Sequence, residues 1–381
     1  MGRKKSRRSW DEGFIVVLQL EINNKKETSM KHNILHSLHH LMILGVVVIT
    51  VMLTGCNDKQ KRFSFESAQE AVNTCHQELN KLLSMEKCDI EQLTQLTNNW
   101  LVLQDSTYSV MMWDSTMQKN DELASEFFTI ADSIRTKLIQ LALSERHTMK
   151  DVVTFKVATA SGREDLMKSK EYQVAETFFK RMNQEPIYNN LGTALVAYDK
   201  LLTEAKPFKT EQQFYQFIQQ EDKCFRSLLT HLSEVPQPRL QSITDQTSEL
   251  FNTLYKNTMT SQDDETSDRV MLYLTMRFNR RIIQNAETCQ NDIKAQKKLT
   301  DQQAANYRWM LIQPFMTIDN YATAAMTTQQ IESLTKIAEE LPILLAYIDG
   351  KDYDRTPKEN TEKLSDILSE YFLKSHLKSI L

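Results

Sequence analysis

Residues 271–293 read MLYLTMRFNRRIIQNAETCQNDI and carry apolar side chains at intervals of three or four residues. These apolar positions are Met271, Leu274, Phe278, Ile282, Ala286, Cys289 and Ile293. Because an α-helix completes a turn every 3.6 residues, these side chains fall along one face of a helix about 33 Å long. The segment therefore predicts a long amphipathic helix that buries one face in a core.

The rest of the chain contains few residues that interrupt helices. Only seven of the 381 residues are Gly, a share of about 2 % where roughly 7 % is usual. Residues 56–185 contain one Gly and no Pro. This composition argues against a turn-rich all-β fold, since Gly and Pro supply most tight turns. It predicts an all-α fold, either a multi-helix bundle or an irregular helical array of about ten helices.

Several helix starts are visible as an N-cap residue followed three positions later by Gln or Glu. Such capping boxes begin at Asp89, Thr210, Thr300, Thr327 and Thr356. The cap side chain accepts a hydrogen bond from a backbone N–H that the first turn leaves unpaired. We expect the helix opened by Thr210 to end before Pro236, and a further helix to run from Arg239 to about residue 259.

Residues 151–162, DVVTFKVATASG, are ambiguous because Val153, Phe155 and Val157 alternate as in a strand. No convincing partner strand is present, and a lone strand would leave its backbone groups unpaired. We therefore predict a helix here.

The N-terminal part of the chain has the features of an export signal. Residues 41–53, LMILGVVVITVML, are uncharged, follow Met30-Lys31, and are shorter than the roughly 20 apolar residues that a membrane span needs. The tetrapeptide Leu53-Thr54-Gly55-Cys56 comes next and resembles the lipobox of bacterial lipoproteins. The resemblance covers residues 30–56 only and leaves the family of the remaining chain unidentified.

This resemblance implies that Cys56 is lipidated. In that family the Cys sulfur carries a diacylglycerol, the signal is cut before the Cys, and the new amine is acylated, for example with palmitate. Two or three acyl chains would anchor the protein stably to a membrane. The implied organisation is a mis-assigned, disordered extension at 1–29, a signal at 30–55, a tether at 56–64 and a helical domain at 65–381, with a possible sub-boundary near 186.

The start of the chain leaves alternatives open. Translation from Met30 would give a signal of normal proportions, and translation from Met1 would add a charged preface. Met1-Gly2 with Ser6 also fits a myristoylation pattern, and Arg7-Arg8 is similar to a twin-arginine export signal.

The charge of residues 56–381 limits the classes of partner. These residues contain 38 Lys and Arg and 46 Asp and Glu, a net charge of −8. Nucleic acid is disfavoured because phosphate binding needs a basic patch. Electrostatic attraction to an anionic bilayer is disfavoured as well, so the expected partners are the membrane, through the lipid, and another envelope protein.

The cysteines beyond Cys56 are Cys75, Cys88, Cys224 and Cys289, and none forms a CxxC motif. Cys75 and Cys88 would lie about 20 Å apart on one helix, too far for a disulfide. Helix geometry does not rule out a disulfide between Cys224 and Cys289, but buried free thiols are the favoured interpretation.

Two weak metal sites can be read from the sequence. His231 and Glu234 form an H-x-x-E pair, which on a helix can offer two ligands to one metal. Asp349, Asp352 and Asp354 form an acidic loop whose order does not match a calcium-binding EF-hand. Ordinary explanations are a charge at a helix end for the first and a polar turn with Gly350 at its helix C-terminus for the second. We therefore predict no metal and no cofactor.

Neighbouring arginines suggest a third kind of site. Arg277, Arg280 and Arg281 could clamp an anionic ligand if they faced a groove, although a solvated face is the more ordinary location. Trp100, Trp113 and Trp309 are expected in the core.

The sequence contains no G-x-S-x-G, H-E-x-x-H, phosphate-loop or dinucleotide motif, which favours a protein that is not an enzyme. We therefore expect a membrane-tethered helical lipoprotein of a Gram-negative-type cell envelope, acting as a binding or assembly component. The inner and the outer membrane are both open as its location, and the outer is slightly favoured. The alternatives are an envelope enzyme with a carboxylate-lined cleft and a metal-handling helical protein.

Overall fold

The computed structural model describes residues 63–113, 121–204, 210–231, 234–235, 237–259, 264–295, 299–350 and 358–381. All of them belong to one compact unit, Asn57–Leu381. Cys56, the apolar run before it and most of the expected tether lie outside the described residues.

Within these ranges the chain forms fourteen α-helices and no strand, which confirms the all-α prediction. The helices are α1 Ala68–Leu83, α2 Ile90–Trp113, α3 Asp121–Ser144, α4 Met149–Ala158, α5 Arg163–Lys168, α6 Lys170–Gln184, α7 Leu191–Glu204, α8 Glu211–Thr230, α9 Gln237–Met259, α10 Asp264–Lys294, α11 Asp301–Thr317, α12 Asn320–Ala324, α13 Thr328–Ile348 and α14 Lys358–Ile380. The expected number was about ten. The short helices α5 and α12 were not predicted, because a helix of fewer than two turns is too short to show an apolar periodicity.

The helix starts follow local capping chemistry. Thr210, Thr300 and Thr327 each accept a hydrogen bond from the backbone N–H three residues later, and Thr300 and Thr327 complete capping boxes. Asp89 Oδ1 accepts from the backbone N–H of Gln92 at 2.8 Å. The start predicted at Thr356 lies outside the described residues.

Two predicted segments differ from the structure only in their bounds. The ambiguous stretch is the helix α4, capped by Thr148 and Asp151, and its Val152, Val153 and Phe155 are buried together. Helix α9 begins at Gln237 rather than at Arg239. Pro238 therefore lies in the first turn, where its missing N–H breaks no intrahelical hydrogen bond.

Buried apolar residues form three clusters. The first cluster lies among α1–α4, α11, α13, α14 and the C-terminal half of α10, and contains Trp100, Phe127 and Leu341. The second lies among α6, α8 and the N-terminal half of α10, and the third among α7, α8 and α9. The second cluster includes residues on both sides of position 186, such as Phe179 and Phe214.

Helix α10 connects the first two clusters. Its residues up to Met276 pack in the second cluster, and those from Ile282 onwards pack in the first. Between them, Asn279 and Arg280 are both buried, and the Asn279 side chain donates to the carbonyl of Ala322 at 2.7 Å. A polar segment of α10 thus separates two apolar clusters, and the candidate site lies at this segment.

Candidate functional site

A buried ionic network joins α8 to α10. The acidic members are Glu221 and Asp222, which are adjacent on α8. The basic members are Arg226, also on α8, and Arg277, Arg280 and Arg281 on α10. None of these six side chains is more than 16 % exposed.

Glu221 is the centre of one half of the network and is completely buried. Its Oε2 accepts from Arg277 Nε at 3.0 Å, and its Oε1 accepts from Arg281 and from the hydroxyl of Tyr198. Thr247 in turn donates to the Tyr198 hydroxyl at 3.3 Å. The carboxylate therefore accepts from donors on two other helices, α7 and α10, and Thr247 on α9 supports one of these donors.

The electrostatics of Glu221 follow from these partners. Burial alone would raise its pKa, but the guanidiniums of Arg277 and Arg281 outweigh burial and lower the pKa to about 2. Burial and the adjacent Glu221 raise the pKa of Tyr198. Glu221 is thus an ionised carboxylate and Tyr198 a neutral donor at neutral pH.

Asp222 is the centre of the other half. Its Oδ2 accepts from Arg226 Nε at 2.8 Å and from an Arg280 terminal nitrogen at 3.2 Å. Arg226 also donates to the carbonyl of Met182 at 2.6 Å, and Arg280 to that of Phe179 at 2.9 Å. Both arginines therefore hold the C-terminal part of α6 against α8 and α10.

The ordinary expectation for Arg277, Arg280 and Arg281, a solvated face, is wrong. They face inward because Glu221 and Asp222 approach from α8, more than 50 residues earlier in the chain. The guanidinium of Arg277 also lies 3.6 Å from the ring centroid of Phe251. The sequence of α10 alone gives no sign of this pairing, because the carboxylates lie on a different helix.

A cleft of about 670 Å³ opens beside this network. One wall is a face of α6, formed by Glu176, Phe179, Lys180 and Asn183. A second wall is a face of α10, formed by Met276, Arg280, Ile283, Gln284 and Glu287. The first turns of α13 close the third side with residues 327–330 and Ser333. Arg280 is therefore the network arginine that lines the cleft.

Polar atoms without partners concentrate at the same part of α10. Four buried side-chain atoms of residues 279–285 have no hydrogen-bond partner within the described part of the chain: Asn279 Oδ1, Arg280 Nε, Gln284 Oε1 and Asn285 Oδ1. Buried polar groups are nearly always paired with protein, water or a ligand. Two of the four residues, Arg280 and Gln284, line the cleft.

The metal sites suggested by the sequence are not assembled in the described part of the chain. His231 Nδ1 lies 3.2 Å from Glu234 Oε1, and the Glu234 side chain is largely exposed. Asp349 pairs with Arg308 at the end of α13, and Gly350 has the positive φ of +75° expected there. Asp352 and Asp354 lie outside the described residues. Across the described ranges, no three His, Cys, Asp or Glu side chains are grouped to hold a metal ion.

The four cysteines are buried and free. Cys224 belongs to the third cluster and Cys289 to the first, which confirms the interpretation of buried thiols. Trp100 is in the core as expected. Trp309 is 47 % exposed, so its assignment to the core is wrong, and the Trp113 side chain lies outside the described residues.

Lys156, which is partly buried, and His376, which is buried, are two further polar residues that the sequence analysis did not identify. Lys156 Nζ donates to the carbonyls of Phe315 and Ile318 at the C-terminal end of α11. Burial lowers the Lys156 pKa to about 8, against the attraction of Asp319. His376 Nε2 lies 3.2 Å from the hydroxyl of Thr159, and burial together with the charge of Lys156 lowers the His376 pKa to about 3. The Lys156 contacts complete the C-terminal end of α11, where a cation is favourable.

Comparison with known proteins adds no relative: the chain matches no protein-family model, no curated protein and no solved structure. Among the helices of the described ranges, none combines the length and the apolar character that crossing a bilayer requires.

Proposed function

We propose that this protein is a lipid-anchored helical binding component of a bacterial cell envelope, attached to its membrane through Cys56. The observation that carries the anchor is the register of Leu53-Thr54-Gly55-Cys56 directly after the uncharged run 41–53. The chain between Cys56 and Ala68, where the first helix of the described residues begins, is short. Even fully extended it would reach about 40 Å, at roughly 3.5 Å per residue, so the helical body would stay close to the membrane surface.

Binding is the activity that the site geometry supports best. Glu221 and Asp222 each accept from two arginines, so both carboxylates are held by ion pairs. The adjacent cleft has the volume of a small-molecule site, which typically measures roughly 300–1,000 Å³. An envelope protein partner belongs to the same proposal, because a tethered body can hold a ligand near a membrane complex.

Metabolic labelling with an alkyne analogue of palmitate, followed by fractionation of the envelope, tests the anchor. We expect the wild-type protein to be labelled and to sediment with membranes, and the Cys56→Ala variant to be unlabelled and released. Cys88→Ala is the matched control, since it removes a buried thiol that is expected to carry no lipid. A Cys56→Ala protein that is still labelled, or that remains with the membranes, would contradict the proposal.

In vivo cross-linking with mass spectrometry tests the partner. We expect one envelope protein to be recovered with the wild-type chain and to be lost with Cys56→Ala, because the released protein is no longer held beside it. Equal recovery of that protein with both forms would show that the association does not depend on the anchor.

A further inference from the structure

The buried ionic network contains more positive than negative side chains. Arg226 and Arg280 share Asp222, while Arg277 and Arg281 share Glu221, so among the described residues four guanidiniums face two carboxylates. Burying a charge without a full counter-charge is unfavourable. Burial is the main cause that lowers the Arg280 pKa, and Arg226 and Arg281 add to it, against the attraction of Asp222 and Glu221.

Arg280 is the one network arginine among the residues that line the cleft, where an added anion could bind. Its residue surface is 7 % exposed and it lines the cleft. Within the described residues it makes two hydrogen bonds, to Phe179 and to Asp222, although a guanidinium carries five N–H groups. Its Nε has no partner and is itself buried, so contact with that atom requires a side-chain adjustment of the kind that is common on binding.

The N-terminal turn of α13 supplies a second favourable element for an anion. Thr328 and Gln329 line the cleft and occupy the first two positions of a 21-residue helix. The capping box uses the backbone N–H groups of Thr327 and Gln330, whereas those of Thr328 and Gln329 have no partner within the helix. Such amides, together with the positive end of the helix dipole, favour carboxylate and phosphate groups.

The remaining lining indicates a hydrophilic ligand. Apolar side chains in the lining are limited to Phe179, Met276 and Ile283. The two acidic side chains have their own partners: Glu176 pairs with Lys180 at 3.0 Å, and Glu287 accepts from the Ser333 hydroxyl at 2.6 Å. Gln284 Oε1 has no partner within the described residues and is buried, so it can accept a hydrogen bond from a ligand hydroxyl or ammonium group after a side-chain adjustment like that required of Arg280.

We infer that this cleft binds a small hydrophilic molecule that carries a carboxylate or phosphate group. The anionic group lies between Arg280 and the N-terminal turn of α13, and the donor groups of the ligand face Gln284 and Glu287. The inference rests on the proposed binding function, since it names the site and the class of ligand.

Isothermal titration calorimetry on the full-length protein, purified from membranes in detergent, tests the ligand class. The probes are citrate, glutamate and inorganic phosphate, with glucose as a neutral probe. We expect saturable binding of at least one anion, weakened by added sodium chloride, and no saturable binding of glucose. Binding of glucose alone, or of none of the four, would overturn the inference.

Two lysine variants locate the site without disturbing the buried network. The Lys180 side chain is 66 % exposed, and Lys180→Glu reverses its charge at the edge of the cleft. Lys168→Glu is the matched control, because Lys168 also forms an exposed i,i+4 pair, with Glu164, away from the cleft lining. We expect anion affinity to fall about tenfold in Lys180→Glu and to stay within about twofold in Lys168→Glu. Equal affinities in the two variants would overturn the site.

Arg280→Lys tests the guanidinium itself. The substitution keeps the positive charge but loses the planar, fork-shaped guanidinium, so we expect the anion affinity to fall about tenfold relative to wild type. If Arg280→Lys does not fold, the comparison of the two lysine variants decides the inference. Cys56→Ala separates this inference from the anchor: it should release the protein and leave anion binding unchanged. A wild-type protein that is lipidated but binds no anion would refute the cleft and leave the anchor intact. A wild-type protein that binds the anion but is not lipidated would refute the anchor and leave the cleft intact.

Discussion

Arg277 and Glu221 form an ion pair in which the guanidinium Nε donates to Oε2 at 3.0 Å, and the carboxylate has no exposed surface. The two residues are 56 positions apart and lie on α10 and α8. Because Arg281 and Tyr198 complete the environment of the same carboxylate, the pair ties three helices to one buried charge.

Replacing Glu221 by Gln should destabilise the fold strongly. The substitution keeps the size of the side chain but leaves Arg277 and Arg281 buried without a carboxylate, which typically costs about 3–5 kcal/mol. Urea unfolding at pH 7, followed by circular dichroism, measures this free energy. Glu249→Gln, at an exposed position of α9, is the control and should change it by less than about 0.5 kcal/mol. A Glu221→Gln protein as stable as the control would show that the network contributes little.

The Glu221 carboxylate should also make the free energy of unfolding depend on pH in the acid range. Its folded pKa, about 2, is below the ordinary value of 4.5. Its contribution is therefore complete above pH 4.5 and is lost as the pH falls from 4.5 towards 2. We expect the gap in unfolding free energy between wild type and Glu221→Gln to narrow over this range. A gap that is constant between pH 5 and pH 3 would contradict the assignment.

His376 should produce a second acid-dependent loss at higher pH. Burial and Lys156 hold its folded pKa near 3, below the ordinary value of 6.5, so only the unfolded chain gains a proton between these values. Stability then falls as the pH drops below 6.5, by up to about 1.4 kcal/mol per pH unit from this group. His376→Gln should show a shallower decline between pH 6.5 and pH 4 in urea titrations. An unchanged slope would place the acid sensitivity in other groups.

Arg163 should be a stabilising cap for a neighbouring helix. One of its terminal nitrogens lies 3.0 Å from the carbonyl of Thr323, 3.1 Å from that of Ala324 and 2.6 Å from that of Met326, at the end of α12. Arg163→Met leaves these carbonyls without their charged donor, and hydrogen bonds to charged groups contribute about 1.5–3 kcal/mol. Thermal unfolding measures the loss. Lys168→Met, at an exposed position of α5, is the control and should leave the melting temperature nearly unchanged.

The four cysteines should be protected in the folded protein. Each is buried, and burial is the first cause of the raised pKa of each thiol. Iodoacetamide at pH 8 should therefore modify Cys75, Cys88, Cys224 and Cys289 only after guanidinium is added, as seen by mass spectrometry. Recovery of a linked Cys224–Cys289 peptide from non-reduced protein would contradict the assignment of free thiols.

Helix positions could be predicted well from the sequence, and the reason is visible at Thr300 and Thr327. Each cap bonds to an amide three residues away, so the interaction is complete within one turn and leaves a recognisable spacing. The short helices α5 and α12 were missed because they contain too few residues for a periodic pattern. Trp309 was misplaced since size and apolarity alone do not say which face of α11 packs inward.

The candidate site could be predicted only in part. The three neighbouring arginines marked the right segment of α10, and an anion clamp was one of the open interpretations. Their carboxylate partners, Glu221 and Asp222, lie on α8 and carry no local sign of the pairing. The cleft was not foreseen because its walls come from α6, α10 and α13, whose lining residues are spread over positions 176–333.

Periodicity and capping within four or five residues were therefore enough to predict the all-α fold of the described residues and several of its helix starts, because those interactions are local. Only the packing of α8 and α6 against α10 pairs Arg277 and Arg281 with Glu221 and brings Arg280 to the border of a cleft. This arrangement depends on which face of each helix packs against a helix that is distant in sequence. The free energy of burying each charged side chain therefore depends on the partner that this packing supplies.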